Sequence, residues 1–132
     1  HTIRMLVRID GEPFTSYAAD GLIASTPTGS TAYSLSARGP VVSPRHRALL
    51  LTPVSPHMLF DRTLVLDPEE AVEVELTGHR GAVLSVDGRR TASVAHGETV
   101  SFTTSAATAR FVRFGERRFH QILKSKFGLS DR

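Results

Sequence analysis

The sequence predicts a mainly β fold, a multi-stranded antiparallel domain of the β-sandwich type with a short helix after residues 26–33 and a C-terminal helix. Short apolar or alternating runs recur along the chain, and turn residues separate them about every 8–12 residues, a spacing typical of such domains. One stretch near the C-terminus has helical spacing instead. The runs predicted as strands are Leu22–Ala24, Ala48–Leu51, Thr63–Leu66, Ala71–Thr77, Ala82–Val86, Thr99–Thr104 and Ala109–Phe114.

Turn residues set the predicted limits of these elements. Asp10-Gly11 and Asp87-Gly88 predict hairpin turns, because Gly tolerates positive φ and Asp bonds its own backbone. Pro53 is expected to mark the turn that follows Ala48–Leu51. The short helix is expected to begin with a side-chain cap from Ser30 or Thr31 and to end at Gly39-Pro40.

The C-terminal stretch from Arg110 to Arg132 is basic, and apolar side chains recur in it at helical spacing, namely Phe119, Ile122, Leu123 and Phe127. This spacing predicts an amphipathic helix that ends at Gly128, with its Arg and Lys side chains in water. Binding of nucleic acid or anionic lipid is the alternative. It is disfavoured because no exposed aromatic residues interleave the basic ones as stacking platforms.

Composition bounds the function. The 132 residues fit one domain, and the formal net charge is +3. The absence of Cys excludes a disulfide scaffold, a thiolate zinc site and a cysteine nucleophile. The histidines show no metal-ligand spacing, and no Gly-x-Ser-x-Gly elbow occurs. Without a long apolar run or a secretory signal, we expect no membrane span and a cytoplasmic location.

The segment from Asp20 to Ser36 is the candidate site. A short strand leads into a loop of small hydroxyl residues and then into a helix, so backbone N–H groups and hydroxyl donors are expected to face one ligand. The loop is not a Walker A motif, because no Lys follows Gly29. The residues alone leave open whether this is a polar or anionic site or a capped turn without a ligand.

Four segments then resemble the NAD kinase family, in the family's order. Thr26 to Tyr33 is similar to its TPTGSTAY segment, and Asp20-Gly21-Leu22 is similar to its DGL turn. Leu49 to His57 and Ser85 to Gly88 are similar to two further family segments. The family is known as a two-domain enzyme, with an N-terminal α/β domain that carries a Gly-Gly-Asp-Gly motif. The resemblance implies that residues 1–132 form the C-terminal, dinucleotide-binding domain and that the N-terminal domain is absent.

The resemblance also implies the site residues. Thr31, Ala32, Tyr33 and Ser36 are expected to line the adenosine and nicotinamide ends of bound NAD or NADP. Asp20 is expected to accept hydrogen bonds from the dinucleotide, although Asp-Gly is also an ordinary turn. Ser55 and Asp87 complete the set, with His57 placed near the ligand or in a structural turn. For Asp87 a plain hairpin role is an equal alternative, and Arg89 and Arg90 beside it either meet phosphate or are solvated.

Two positions depart from the family pattern. Arg38 stands where the family has a small residue, and Ala18 stands where many relatives carry an Arg. The missing cation leaves open how a phosphate of the nucleotide is held. Arg38 is a possible substitute.

The implied activity is transfer of a phosphoryl group from ATP, or polyphosphate, to the adenosine-ribose 2′-hydroxyl of NAD, giving NADP. Mg²⁺ is expected to accompany the ATP. No catalytic or metal-binding residue is expected in this chain, because the family's catalytic Asp belongs to the glycine motif of the other domain. A homo-oligomer, dimer or tetramer, is expected, in which Leu49 to His57 of one chain approaches a neighbour's ligand. The alternatives are a non-catalytic nucleotide-binding β module and a lipid-kinase relative.

Overall fold

The computed structural model of the chain describes residues 1–115 and 118–130, which form nine β-strands, a 3₁₀ turn and two α-helices. Glu116, Arg117, Asp131 and Arg132, which belong to the basic stretch discussed above, lie outside the described residues. The elements in chain order are β1 Ile3–Ile9, β2 Glu12–Ala19, β3 Gly21–Ser25, the 3₁₀ turn Thr28–Thr31, α1 Tyr33–Ser36, β4 Leu49–Val54, β5 Leu64–Leu66, β6 Val72–Leu76, β7 Ala82–Val86, β8 Arg89–Val94, β9 Thr99–Phe102 and α2 Phe119–Lys126.

The described strands form three antiparallel sheets, which confirms the predicted mainly β class. The strand orders are β2-β1-β6-β9, β3-β4-β5 and β7-β8. In β6 the valines and the leucine are buried while the glutamates between them are half-buried, so the alternation in the sequence is the alternation of the two faces. The core lies between the first two sheets and contains Met5, Val7, Tyr17, Leu49, Leu51, Leu66, Val72, Val74 and Leu76.

Both predicted Asp-Gly hairpins are present. Asp10 and Gly11 join β1 to β2 with φ angles of 51° and 80°. Asp87 and Gly88 join β7 to β8 with φ angles of 49° and 80°. Positive φ at both central residues is the geometry of a type I′ turn, which matches the twist of the two strands.

An aromatic cluster surrounds Tyr17 at one side of the core. The Tyr17 ring lies 6.5 Å from that of Phe14 and 6.4 Å from that of Phe60. The side chain is fully buried, and within the described part of the chain its hydroxyl has no hydrogen-bond partner. Burial raises the pKa of Tyr17 to about 12, because the phenolate would lose its hydration.

Three local predictions are wrong. Ala109–Phe114 forms no strand, and Phe111, Val112 and Phe114 are 68%, 83% and 97% exposed. An apolar run becomes a strand only beside a partner strand, and none of the described strands pairs with this one. Pro53 lies inside β4 rather than in a turn. Proline has no backbone N–H to donate to a neighbouring strand. It is tolerated here because β5 pairs only with Leu49–Leu51, so none of the described strands lies beside Pro53 on that side.

The third wrong prediction is the cap of the first helix. Neither Ser30 nor Thr31 caps it, since both belong to the 3₁₀ turn and α1 has no side-chain cap. Ser30 is buried, and its hydroxyl instead accepts a hydrogen bond from the N–H of Val42.

The predicted C-terminal helix is confirmed as α2, and Gly128 follows it with a φ of 61°. None of its eight residues is fully buried, and Phe119, Ile122 and Leu123 are half-buried. Among residues 1–115 and 118–130, no helix has the length and apolar character that crossing a membrane requires.

Candidate functional site

The candidate loop connects β3 to α1 through short side-chain to backbone hydrogen bonds. Gly29 donates its N–H to the Thr26 hydroxyl at 3.1 Å. The buried Ser30 hydroxyl accepts from the N–H of Val42 at 3.0 Å, which ties the 3₁₀ turn to the chain that follows α1. The loop is therefore held in one conformation by its own hydroxyl residues.

The end of α1 is a Schellman motif. Gly39 donates its N–H to the Ser34 carbonyl at 2.7 Å, and Arg38 donates to the Leu35 carbonyl at 3.0 Å. In this motif the residue at the position of Arg38 adopts positive φ, and its φ is 68°. Glycine is the usual residue there, and a side chain in the left-handed region costs about 1–2 kcal/mol.

Gly39 is glycine for another reason. A Cβ at this position would meet the Ser34 side chain and, at 2.7 Å, the Ser34 carbonyl oxygen. The two residues that end the helix are thus constrained differently, Arg38 by its backbone angle and Gly39 by the space around it.

A chain of three hydroxyl groups links α1 to β4, the central strand of the sheet β3-β4-β5. The Ser34 and Thr52 hydroxyls lie 3.3 Å apart, and the Thr52 and Thr63 hydroxyls lie 3.0 Å apart. Ser34 and Thr52 are both almost completely buried. This chain, the Ser34–Thr52–Thr63 hydroxyl chain, joins α1, β4 and the residue before β5.

These elements enclose a cavity of about 620 Å³, which we call the polar cavity. Its walls come from α1 and its C-terminal cap, from the end of β4 with the turn after it, and from the loop before β5. The lining residues are Tyr33, Ser36, Ala37, Arg38, Pro53, Val54, Ser55, Pro56, Asp61 and Thr63. The Tyr33 side chain is 64% exposed, so its ring and hydroxyl are open to a ligand.

Two charged side chains line the polar cavity. Asp61 is paired with the neighbouring Arg62, whose Nε lies 3.6 Å from the Asp61 carboxylate. The guanidinium of Arg38 has no hydrogen bond or ion pair with any residue in 1–115 or 118–130. The cavity therefore has one cation whose charge no described neighbour balances.

A second cavity of about 390 Å³, which we call the apolar cavity, lies among strands of all three sheets. Its lining is mostly apolar, with His1 and Asp20 beside strand residues such as Met5, Leu51 and Phe102. The Asp20 carboxylate lies 3.8 Å from Nε2 of His57, an ion pair when that histidine is protonated.

The turn after β4 lies against the strand end that carries Asp20. Asp20 donates its N–H to the Val54 carbonyl at 2.9 Å, and His57 donates its N–H to the Ala18 carbonyl at 2.7 Å. Val54 lines the polar cavity and Asp20 lines the apolar cavity, so the Asp20–Val54 hydrogen bond links the walls of the two cavities.

The structure brings some of the predicted site residues together but not others. Tyr33, Ser36 and Ser55 line the polar cavity. Asp20 lines the apolar cavity, and its backbone N–H is bonded to Val54 of the polar cavity. The residues that line neither cavity are Thr31, Ala32 and Asp87, all of them exposed.

Sequence reasoning missed two lining residues. Asp61 and Thr63 belong to a polar loop with no motif, and only the pairing of β5 with β4 brings that loop to the cavity. Arg38 was singled out as a departure from a pattern, and the structure adds its positive φ and its place in the cavity wall.

The sequence comparison identifies a family. Residues 1–114 match the family model described as the ATP-NAD kinase C-terminal domain. The chain is 46% identical over 125 residues to the NAD kinase of Heliobacterium modesticaldum, covering 94% of this chain and 44% of that enzyme. It is 42% identical over 128 residues to NAD kinase 2 of Streptomyces coelicolor, covering 96% of this chain and 42% of that enzyme.

Solved structures of NAD and NADH kinases have the same fold as this chain. Yeast NADH kinase complexed with NADH superposes with a TM-score of 0.73 at 40% identity, covering 76% of this chain and 29% of that one. An NAD kinase from Archaeoglobus fulgidus in complex with ATP superposes with a TM-score of 0.69 at 30% identity, covering 80% and 40%. The chain spans less than half the length of these relatives, and over that span both its sequence and its fold assign it to the ATP-NAD kinase family, as a C-terminal domain.

Proposed function

We propose that residues 1–132 are the dinucleotide-binding domain of an NAD kinase, which transfers a phosphoryl group from ATP, or polyphosphate, to the adenosine-ribose 2′-hydroxyl of NAD. One observation carries the proposal. Ser55 after β4 is distant in sequence from Tyr33 and Ser36 of α1, yet all three residues line one polar cavity of about 620 Å³. A cavity of this size, with a few convergent polar groups, is typical of small-molecule sites.

Each lining group suits a nucleoside. The exposed Tyr33 provides an aromatic face and a hydroxyl, and Ser36 and Ser55 provide hydroxyls that donate to or accept from ribose or phosphate oxygens. Asp20, whose backbone N–H is bonded to Val54 of the polar cavity, provides a carboxylate acceptor from the wall of the apolar cavity. Hydrogen bonds to an ionised carboxylate are stronger than neutral ones, so Asp20 would fix the orientation of a ribose or amide donor.

Other members of the proposed set have less support. Thr31 and Ala32 precede Tyr33 directly and are exposed, so their backbone groups remain open to a ligand that extends beyond the cavity. Asp87 has the least support, because it lines neither cavity and the β7–β8 hairpin accounts for its conformation.

In this proposal the domain positions the acceptor, and the base that deprotonates the 2′-hydroxyl lies in an N-terminal domain outside these residues. Phosphoryl transfer depends mainly on positioning and on charge neutralisation, which divides naturally between two domains. The described residues contain no group of three or more His, Asp or Glu side chains that could hold a metal ion. We propose that Mg²⁺ arrives bound to the phosphates of the ATP.

Partners are also part of the proposal. Phe111, Val112 and Phe114 expose apolar side chains in an irregular segment, and such a patch is typical of a contact with further protein. The N-terminal domain and a second copy, in a dimer or tetramer, are the proposed partners. A cytoplasmic location is compatible with the absence of cysteine.

The test combines binding and activity. We expect the native-length protein to convert NAD to NADP with ATP and Mg²⁺. Residues 1–132 alone should react more slowly by at least the factor of about 10²–10⁴ that general-base catalysis typically supplies. Conversion by the isolated chain at the native rate would refute the division of roles. Binding of NAD by the native-length protein without NADP formation would identify a non-catalytic nucleotide-binding module instead.

A matched pair of variants tests the site itself. Tyr33→Ala should weaken NAD binding in calorimetry. Leu59→Ala is the control, because Leu59 is fully exposed near Asp61 but lines neither cavity, and NAD affinity should be unchanged. Equal affinities for both variants and the wild type would remove the polar cavity from the site.

A further inference from the structure

Backbone strain is unevenly distributed in the described residues. Four non-glycine residues have positive φ. Asp10 and Asp87 occupy hairpin turns, where the turn type requires this geometry. The other two, Arg38 at 68° and Ser55 at 46°, both line the polar cavity. Strained non-glycine residues cluster at ligand sites, where the surrounding structure holds them.

The hydrogen bonds of the backbone explain the positive φ of Arg38, but no polar contact with a described residue explains its side chain. The Schellman motif at the end of α1 imposes positive φ at this position, and glycine would adopt it without cost. A long cationic side chain there adds no hydrogen bond or ion pair with any residue in the described part of the chain. No polar contact among the described residues therefore accounts for an arginine at this position.

The position of Arg38 indicates what its guanidinium binds. Arg38 lines the polar cavity together with Tyr33 and Ser36, and the cavity's carboxylate, Asp61, is already paired with Arg62. A planar guanidinium binds phosphate oxygens through two parallel hydrogen bonds, and it remains charged at every physiological pH. An anion with phosphate geometry would balance its charge.

We propose that Arg38 is a specificity-determining residue that binds a phosphate group of the dinucleotide in the polar cavity. This rests on the proposed function, since it assumes that NAD or NADP occupies the cavity. Two sources of phosphate oxygens are available. The pyrophosphate is common to NAD and NADP, whereas the 2′-phosphate occurs only in NADP, the proposed product.

Calorimetric titration of the native-length protein with NAD and with NADP tests the proposal. Arg38→Gln should weaken binding about tenfold or more, as expected for a lost charge-assisted hydrogen bond, and Arg38→Lys should recover part of the loss. Equal weakening for both ligands supports contact with the pyrophosphate. Weakening for NADP alone supports contact with the 2′-phosphate, and makes Arg38 a source of product inhibition.

Two controls separate this role from others. Arg110→Gln removes the same charge from an exposed arginine outside both cavities, and both affinities should be unchanged. Arg38→Gly should raise the melting temperature by a few degrees while it weakens phosphate binding as Arg38→Gln does. A lower melting temperature for Arg38→Gly would show a structural role and overturn the proposal.

Failure of this proposal is distinguishable from failure of the proposed function. If the wild-type protein binds NAD and NADP and Arg38→Gln binds both within twofold of the wild type, the phosphate contact is refuted and the dinucleotide site stands. If the wild-type native-length protein binds neither, the proposed function fails and the role of Arg38 falls with it.

Discussion

Replacing Gly39 with alanine should destabilise the chain by about 2–4 kcal/mol, although the change adds one methyl group. The added Cβ would meet the Ser34 side chain, the Ser34 carbonyl oxygen at 2.7 Å and the Thr52 hydroxyl at 3.2 Å. Overpacking of this kind typically costs about 1–3 kcal/mol. The carbonyl is backbone, so it moves away only if the 2.7 Å hydrogen bond from the Gly39 N–H is lost, about 0.5–1.5 kcal/mol more.

Urea denaturation of Gly39→Ala and of a control measures this cost. Gly21→Ala is the control, because a Cβ there meets no atom closer than 3.7 Å and Gly21 lies in regular strand β3. Its free energy of unfolding should equal or slightly exceed that of the wild type. The double variant Ser34→Ala, Gly39→Ala, measured against Ser34→Ala alone, should recover only part of the loss, since the hydroxyl is removed but the carbonyl remains.

The outcome decides between two accounts of Gly39. A loss below about 0.5 kcal/mol for Gly39→Ala would show that the end of α1 relaxes freely, and the close approach of Ser34 would then have no part in shaping the polar cavity. Full recovery in the double variant would place the whole cost on the side-chain contact and refute the role given to the carbonyl.

Four further outcomes are expected. Tyr17→Phe should raise the free energy of unfolding by about 1 kcal/mol in urea denaturation, because it removes a buried hydroxyl that has no partner among the described residues. Folding raises the pKa of Tyr17 from 10.0 to about 12, so the free energy of unfolding should not depend on this group below pH 10 and should fall by up to about 3 kcal/mol as the pH rises to 12; Tyr17→Phe should flatten this part of the pH–stability curve. Asp20→Ala and Tyr33→Ala should each weaken NAD binding to the native-length protein by about 1–3 kcal/mol in calorimetry without unfolding it. Leu123→Ala should lower the free energy of unfolding by only about 1 kcal/mol, because this side chain of α2 is half-buried; a loss above 2 kcal/mol in a denaturation curve would contradict that burial.

The parts of the fold that follow from local chemistry were predictable. The Asp10-Gly11 and Asp87-Gly88 turns need no tertiary information, since positive φ and local Asp hydrogen bonds are properties of the residues themselves. The alternation in β6 is equally local. Strand β8 was missed because its residues, Arg89–Val94, are almost all exposed and carry no apolar pattern. Its existence depends on pairing with β7, which periodicity does not report.

In the candidate site, too, local residue types could be recognised from the sequence but tertiary contacts could not. The loop from Thr26 to Tyr33 was recognisable from its residue types, but the cavity beside it was not. Asp61 reaches that cavity only because β5 pairs with β4, and Arg38 acquires its geometry from the cap of α1. The wrong strand at Ala109–Phe114 has the opposite cause, a strong local pattern without a partner strand. Contacts distant in sequence decide both kinds of error.

The Ser34–Thr52–Thr63 hydroxyl chain also limits how the sequence of this domain can change over generations. Losing the central Thr52 hydroxyl leaves the buried Ser34 hydroxyl without a partner, at about 1–3 kcal/mol for the stranded group, and also removes the partner of the half-buried Thr63. Exchanging all three for apolar residues of similar shape is close to neutral, because no polar group is then left unpaired. Replacement of Thr52 alone should therefore be selected against, while joint replacement is tolerated. Among diverging descendants of this chain, an apolar residue at position 52 should occur together with apolar residues at positions 34 and 63.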